Sequence, residues 1–299
     1  MCGIAGLQLR GGEHSERLGE LISGMLSQLR DRGPDSAGIA LYGDTSLCRP
    51  GWAAVSVLAG ETSADDLGAR IGALLPGLSV QATAVAEVRV VTAPTAPGEL
   101  TAAVRAVLPD APLLGSGTDL AVLKGIGDPL DLARDFALAT RTGVQAVGHT
   151  RMATESAVTV AHSHPFCVPP GLCLVHNGSF ANHDTIRREL TADGITFDTD
   201  NDSEVAARFI GAWLDRGDDL EKALRRVCET FDGFYTLLAA TPTQLAVVRD
   251  AIACKPALIA EGPGWVAVAS EYRALSGLPG IGEARVFEPA PEEVYLWSA

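Results

Sequence analysis

Met1-Cys2-Gly3-Ile4-Ala5-Gly6 opens the chain, and no other stretch says more about its architecture. Removal of the initiator Met leaves a cysteine whose thiol and free α-amine belong to one residue. An α-amine titrates at roughly 7.7–8.0, so near pH 7 part of it is neutral and can accept the thiol proton. The same stretch begins a short apolar segment, Cys2 to Leu9, that reads as a strand with its first residue at a sheet edge facing a cleft. A lone cysteine is more often inert than reactive, so the rest of the sequence has to supply the remainder of a site.

Outward from this strand, Leu18, Leu21, Ile22, Met25, Leu26 and Leu29 recur at helical spacing, with Ser15 as the candidate N-cap. Arg32-Gly33-Pro34-Asp35-Ser36 carries turn chemistry, and Ala37 to Tyr42 returns to strand. Residues 45 to about 146 differ in character, being rich in Ala, Gly and Pro and nearly free of His and aromatics. Helices near Ala64–Leu75, Leu100–Leu108 and Leu130–Ala139 alternate there with strands near Val80–Val91 and Asp119–Gly125. That alternation predicts a small α/β segment inserted into, or appended to, the core sheet. From Val144, strands lead into His149-Thr150-Arg151 and, over Leu172–Val175, into His176-Asn177-Gly178. Helices follow near Asp184–Ala192, Ser203–Leu214 and Leu220–Thr230, and then a β-rich tail. Two groups of strands with helices gathered between them predict stacked sheets covered by helices.

The 299 residues are 47% hydrophobic, enough for one large core or two modest ones. No charge-free apolar run reaches the ~18 residues of a membrane span, and no basic and apolar leader precedes Cys2. The expectation is a cytoplasmic protein that begins at Met1 and has no membrane partner. With 23 basic against 37 acidic residues the formal charge is -14, which repels phosphate backbones and argues against a nucleic-acid partner. Six scattered cysteines in a chain this long point to a reduced compartment without disulfides. His162, His164, Cys167, Cys173 and His176 lie close in sequence, but their spacing and the apolar Leu172–Val175 run do not match paired zinc-ligand patterns. No metal is expected.

A thiol attacking a carbonyl needs preorganised donors for the oxyanion. Asn177 and Gly178, an amide and an unobstructed backbone N–H, suit that task, although Asn-Gly is equally a hairpin turn dipeptide. Arg151, framed by Thr150 and Thr154, can hold a carboxylate in a bidentate fork or form an ordinary ion pair. Asp202 lies in Asp200-Asn201-Asp202-Ser203-Glu204, where one carboxylate is expected to cap the next helix and another is available for an ammonium group. Together these groups describe a site for an α-amino acid with a side-chain amide, with Cys2 forming an acyl-enzyme and ammonia leaving.

At these residues the chain resembles the class II glutamine amidotransferases, whose terminal cysteine releases ammonia from glutamine. The matching segments are Cys2 to Gly6, Arg32 to Gly38, His149 to Thr154, Ser163-His164-Pro165-Phe166, His176-Asn177-Gly178, Asp202-Ser203-Glu204 and Asp232-Gly233-Phe234-Tyr235, with echoes at Arg249-Asp250, Lys255-Pro256 and Ser270-Glu271. The resemblance implies an α+β fold, the four-layer αββα N-terminal-nucleophile sandwich, here one domain over 1–299 with an α/β insertion at about 45–146. It implies Cys2 as nucleophile, Asn177 and Gly178 as oxyanion hole, Arg151 and Thr154 as carboxylate ligands, Asp202 as ammonium ligand, and Arg32 and His164 as pocket supports. The long insertion, and the lack of a synthase domain after Ala299, look most like the amidotransferase subunit of glutamate-synthase-like or N-methylglutamate-synthase complexes. No cofactor is then expected in this chain, L-glutamine is the substrate, and the ammonia acceptor is a separate subunit carrying flavin or iron–sulfur cofactors. A stand-alone amidohydrolase on a γ-glutamyl conjugate and a silent glutamine-binding regulatory subunit are the competing expectations.

Overall fold

The computed structural model describes residues 2–152 and 158–298. Its first strand, β1 (Gly3–Leu9), is buried along its whole length, as an apolar run covered on both faces must be. Helix α1 (Leu18–Gln28) follows and lays Leu18, Leu21, Ile22, Met25 and Leu26 into the core beside it. Ser15 does not cap α1. It opens a separate 3-10 turn, and Arg17 stands at the helix N-terminus without a side-chain cap. The turn through Gly33 and Pro34 then leads into β2 (Ser36–Tyr42).

The next elements form a layer of their own. Strand β3 (Ala53–Leu58), helix α2 (Ala64–Leu74), strands β4 (Gln81–Val85) and β5 (Val88–Ala93), helix α3 (Pro97–Val107) and strand β6 (Leu113–Thr118) build a four-stranded antiparallel sheet in the order β4-β5-β3-β6. Val55, Val57 and Val91 meet Leu67, Ile71, Leu100 and Val104 in a separate apolar core. The single strand expected over Val80–Val91 is in fact two, divided at Ala86, whose backbone is left-handed at φ 50°. Strand β7 (Leu120–Ile126) leaves this layer, pairs with β2 along Ser36–Tyr42 and forms an edge of the main sheet. Strand pairing thus divides the 45–146 stretch: residues 53–118 make the extra layer, and the chain from Leu120 onward rejoins the core. Hydropathy periodicity cannot distinguish the two, because pairing partners are chosen by tertiary packing.

Helix α4 (Pro129–Asp135) leads to β8 (Gln145–Arg151), which inserts between β1 and β2. Beyond it come β9 (Phe166–Val168), β10 (Leu172–Phe180), α5 (His183–Ala192), α6 (Asp202–Asp215), α7 (Leu220–Thr230), β11 (Gly233–Ala240), β12 (Gln244–Arg249), β13 (Leu258–Gly262), β14 (Trp265–Ala269), α8 (Tyr272–Leu275), β15 (Arg285–Phe287) and β16 (Tyr295–Ser298). The main sheet runs β15-β13-β14-β1-β8-β2-β7 and the second β16-β12-β11-β10-β9. Val175, Leu238, Leu245 and Val247 of the second sheet face the core shared with Leu7, Ile39 and Val147. Their neighbours Leu174, Leu237, Ala246 and Val248 face Ile186, Val205, Ile210 and Leu224 of α5 to α7. The period of two therefore buries both faces of the second sheet. With α1 and α8 on the main sheet's other side, the result is the αββα sandwich.

Cys167 and Cys173 face each other across the β9–β10 pair, with Cα atoms 4.2 Å apart, and are joined as a disulfide. This corrects the expectation of uniformly reduced thiols. The turn at Pro169-Pro170-Gly171 makes the two cysteines cross-strand partners, which sequence spacing alone does not reveal.

Gly38 marks where the sandwich is tightest. It pairs with Lys124 on one side and His149 on the other, and an added Cβ would overlap the carbonyl oxygen of His164 and stand 3.0 Å from Lys124 Cγ. Gly38→Ala should lower stability by about 1–3 kcal/mol, since backbone rather than a flexible side chain must give way. The exposed helical Gly24, with nothing near its Cβ position, should gain roughly 0.5–1 kcal/mol on replacement by Ala. Urea midpoints for the two variants check both, and a midpoint for Gly38→Ala equal to that of the unmodified protein would contradict the close contact.

Candidate active site

Cys2 lies immediately before β1, beside the end of β8, and the fold fixes it through its carbonyl. That oxygen accepts from Arg32 Nε at 2.9 Å and from Asn177 Nδ2 at 3.1 Å. Arg32 comes from the short turn after α1 and is itself held by Glu271, whose Oε1 lies 2.7 Å from Arg32 Nη1. The adjoining Ser270 takes the Ile4 N–H on its hydroxyl at 2.8 Å and returns its own N–H to the Ile4 carbonyl at 3.1 Å. The Ser270-Glu271 pair thus clamps the first residues of β1. The Cys2 thiol is half-buried, and its Sγ receives the Met152 N–H at 3.5 Å.

Asn177 and Gly178 come from the opposite sheet. They do not form a hairpin turn, since both sit inside β10, paired with Thr236 and Tyr235 of β11. Asn177 is buried, whereas Gly178 is open to solvent. At Gly178 φ is 146°, and a Cβ would overlap the Phe234 carbonyl oxygen, so only glycine fits this backbone. Arg151 is buried at the end of β8, and its carbonyl accepts the Asp35 N–H at 3.0 Å. Thr154 lies outside the described residues.

Asp202 begins α6 but does not cap it. The cap is Asn201, whose side chain accepts the Ser203 N–H at 2.8 Å. Glu204 is also engaged elsewhere, accepting from Asp198 N at 2.9 Å and Thr199 N at 2.7 Å. Asp202 instead receives the Phe180 N–H at 3.1 Å and the Ser203 hydroxyl at 3.2 Å, with its side chain 22% exposed. Ser203 is a hub that the sequence did not reveal: its Oγ lies 2.8 Å from His176 Nδ1 and 3.4 Å from His164 Nε2. His164 stacks on His149, with ring centroids 4.1 Å apart. The weighed metal cluster is dispersed, with Cys167 bonded to Cys173 and His162 bonded to Asp200 at 2.7 Å. Among the described residues no group of three or more His, Cys, Asp or Glu side chains could hold a metal ion.

The chain is similar to known proteins. A glutamine amidotransferase domain family matches residues 149–277. A glutamine amidotransferase-like protein of Rhizobium meliloti, GlxB, is 43% identical over 300 residues, which span 99% of this chain and 98% of that one. The chain belongs to the class II glutamine amidotransferases. A glutamine–fructose-6-phosphate aminotransferase of Xylella fastidiosa is 39% identical over 143 residues, 46% of this amidotransferase and 23% of the longer protein. Among solved structures, the phosphoribosylpyrophosphate amidotransferase of B. subtilis aligns with a TM-score of 0.63 at 20% identity, over 99% of this chain and 47% of that one. It shares the fold. No helix among the described residues is long and apolar enough to cross a membrane.

Behind its strand ends this amidotransferase carries His149, His164 and His176, all buried. Burial lowers all three rings from the ordinary imidazole range, His149 to about 3 and His164 well below it. Positive neighbours reinforce this for His164, whereas Asp202 partly opposes it for His176. The rings are therefore neutral near pH 7. A histidine whose folded value lies below its unfolded value near 6.5 takes up a proton on unfolding. Its stabilising contribution is complete above that unfolded value and is lost as pH falls toward the folded one. Unfolding free energy should drop between about pH 6.5 and 5 by up to about 1.4 kcal/mol per pH unit for each such ring. Urea titrations across that range check the slope, and His149→Gln should make it shallower; an equal slope in the variant would mean that His149 titrates normally.

Proposed function

We propose that this chain hydrolyses L-glutamine to glutamate and ammonia through a thioester on Cys2, and passes the ammonia to a separate synthase subunit. The observation that carries the reading is the convergence on Cys2 of Arg32 and Asn177, one from each side of the sandwich, beside Gly178 and the partly exposed Asp202. With Met1 removed, the Cys2 α-amine takes the thiol proton and Sγ attacks the side-chain amide carbon. One Asn177 Nδ2 proton rests on the Cys2 carbonyl in the resting structure. The amide's second N–H and the open Gly178 N–H then receive the oxyanion. The α-ammonium returns the proton to the leaving nitrogen, ammonia departs, and water cleaves the thioester. Arg151, with Thr154, holds the substrate carboxylate, and Asp202 holds its ammonium.

An acceptor on a flavin- or iron–sulfur-containing synthase subunit, as in glutamate-synthase-like or N-methylglutamate-synthase complexes, is the finer part of the proposal. Its support is the resemblance carried by the long insertion and by the motif at His149 to Thr154. Co-purification from the native host, followed by cofactor spectra of the captured chains, tests it directly.

For the chemistry, Cys2→Ala should abolish release of ammonia from glutamine, and a glutamine-like alkylator should add once to the unmodified protein and not to the variant. Asn177→Ala should lower kcat by about 10²–10³-fold. Arg151→Ala and Asp202→Asn should act mainly on KM for glutamine. Steady-state ammonia assays with intact-mass measurement of Met1 removal read all of these; glutamine turnover unchanged in Cys2→Ala would end the proposal.

A further inference from the structure

Away from Cys2, three sheets meet around a cavity of about 200 Å³. Leu113 and Leu114 of the extra layer, Lys124 of β7 and Phe166 of β9 line it, together with charged side chains that include Asp198 and Glu204. Lys124 is only 4% exposed. Its ammonium stands 5.1 Å from the centre of the Phe166 ring, and among the described residues no oxygen accepts a hydrogen bond from it and no carboxylate pairs with it.

Of the three carboxylates that line the cavity, Asp110, Asp198 and Glu204, the last two are already engaged. Glu204 takes two backbone N–H groups, the Thr199 hydroxyl at 2.7 Å and Arg208 at 3.1 Å. Asp198 pairs with Arg208 at 2.8 Å and Arg105 at 3.2 Å. An amine on so buried a side chain, with three potential donors and no acceptor among the described residues, is costly unless water or a ligand in the cavity meets it. Burial pushes Lys124 down to about 7, against the opposing pull of Glu204 and Asp198, and its charge in turn bears on the neighbouring His164.

We propose that this cavity binds a small organic carboxylate, its oxygens on Lys124 Nζ and its apolar body against Phe166 and Leu114. A singly charged ligand suits one available cation, because Arg105 and Arg208 are occupied by Asp198 and Glu204. The apolar part of the lining, Leu113, Leu114 and Phe166, suits a short carbon chain, and the Asp198 and Glu204 carboxylates that share the cavity oppose a more highly charged anion. The site lies across β2 from His149, since Gly38 pairs with both Lys124 and His149, and it is distinct from the glutamine pocket proposed at Cys2.

The chain has three lysines, Lys124, Lys222 and Lys255, which makes the test direct. In protein labelled with ¹³C at the lysine ε-carbon, butyrate should raise the apparent pKa of the Lys124 resonance by at least one unit, a ten-fold change, and leave Lys222 and Lys255 in place. Inorganic phosphate or chloride at equal ionic strength should not. In parallel, butyrate should raise Tm of the unmodified protein and not that of Lys124→Met. If Lys124→Met does not fold, the resonance titration stands on its own. A Lys124 resonance indifferent to butyrate, or one that phosphate shifts equally, overturns the proposal. Neither readout involves glutamine turnover, so the result is independent of the chemistry at Cys2.

Discussion

The structure depends on how the carbonyl of the second residue is held. A chain terminus ordinarily frays, yet Cys2 is fixed by Arg32 from the turn after α1 and by Asn177 from the facing sheet. Each donor is positioned by something distant in sequence: Arg32 by Glu271 after β14, and Asn177 by the pairing of β10 with β11. A charged donor contributes more than a neutral one in such a partly buried setting. The thiol reaches its place only when both sheets have closed on each other, so the proposed chemistry presupposes the complete sandwich.

The buried histidines extend the same constraint inward. Asp202 is turned by Phe180 and Ser203, Ser203 is met by His176 and His164, and His164 rests on His149. His149 Nδ1 and His176 Nε2 are buried with no hydrogen-bond partner among the described residues. Their cost is smallest for neutral rings, which accords with the lowered pKa values. Under the reading proposed above, these uncharged rings stand behind the carboxylate that would hold the substrate ammonium.

The layer at residues 53–118 carries none of these groups. Its β6 instead packs beside β7 and β9, where the two main sheets expose their edges. Covering an edge removes a surface open to unwanted strand pairing, and here it also encloses Lys124. The cavity therefore lies where the layer at residues 53–118 meets the edges of the αββα core.

Much of this was legible in the order of residues. Leu18 to Leu29 announce α1, Leu220 to Thr230 announce α7, and the spaced motifs around Cys2, Arg151, Asn177 and Asp202 announce the amidotransferase family, because side-chain chemistry and local periodicity are properties of the chain itself. Where the reading went astray, the cause was contact between distant segments. Ser15 resembled a cap but lies one turn too early, Asn201 took the role expected of a carboxylate, and Cys167 met Cys173 across a turn. Strand β7 left the layer that precedes it in sequence to complete the main sheet. The sequence by itself determined which elements form and which reactive groups are present. Only the tertiary structure decided that Arg32 and Asn177 share one carbonyl, that Ser203 joins Asp202 to two histidines, and that Lys124 is buried with no acceptor among the described residues. Those outcomes depend on strand register and the packing of sheets, which no local pattern encodes.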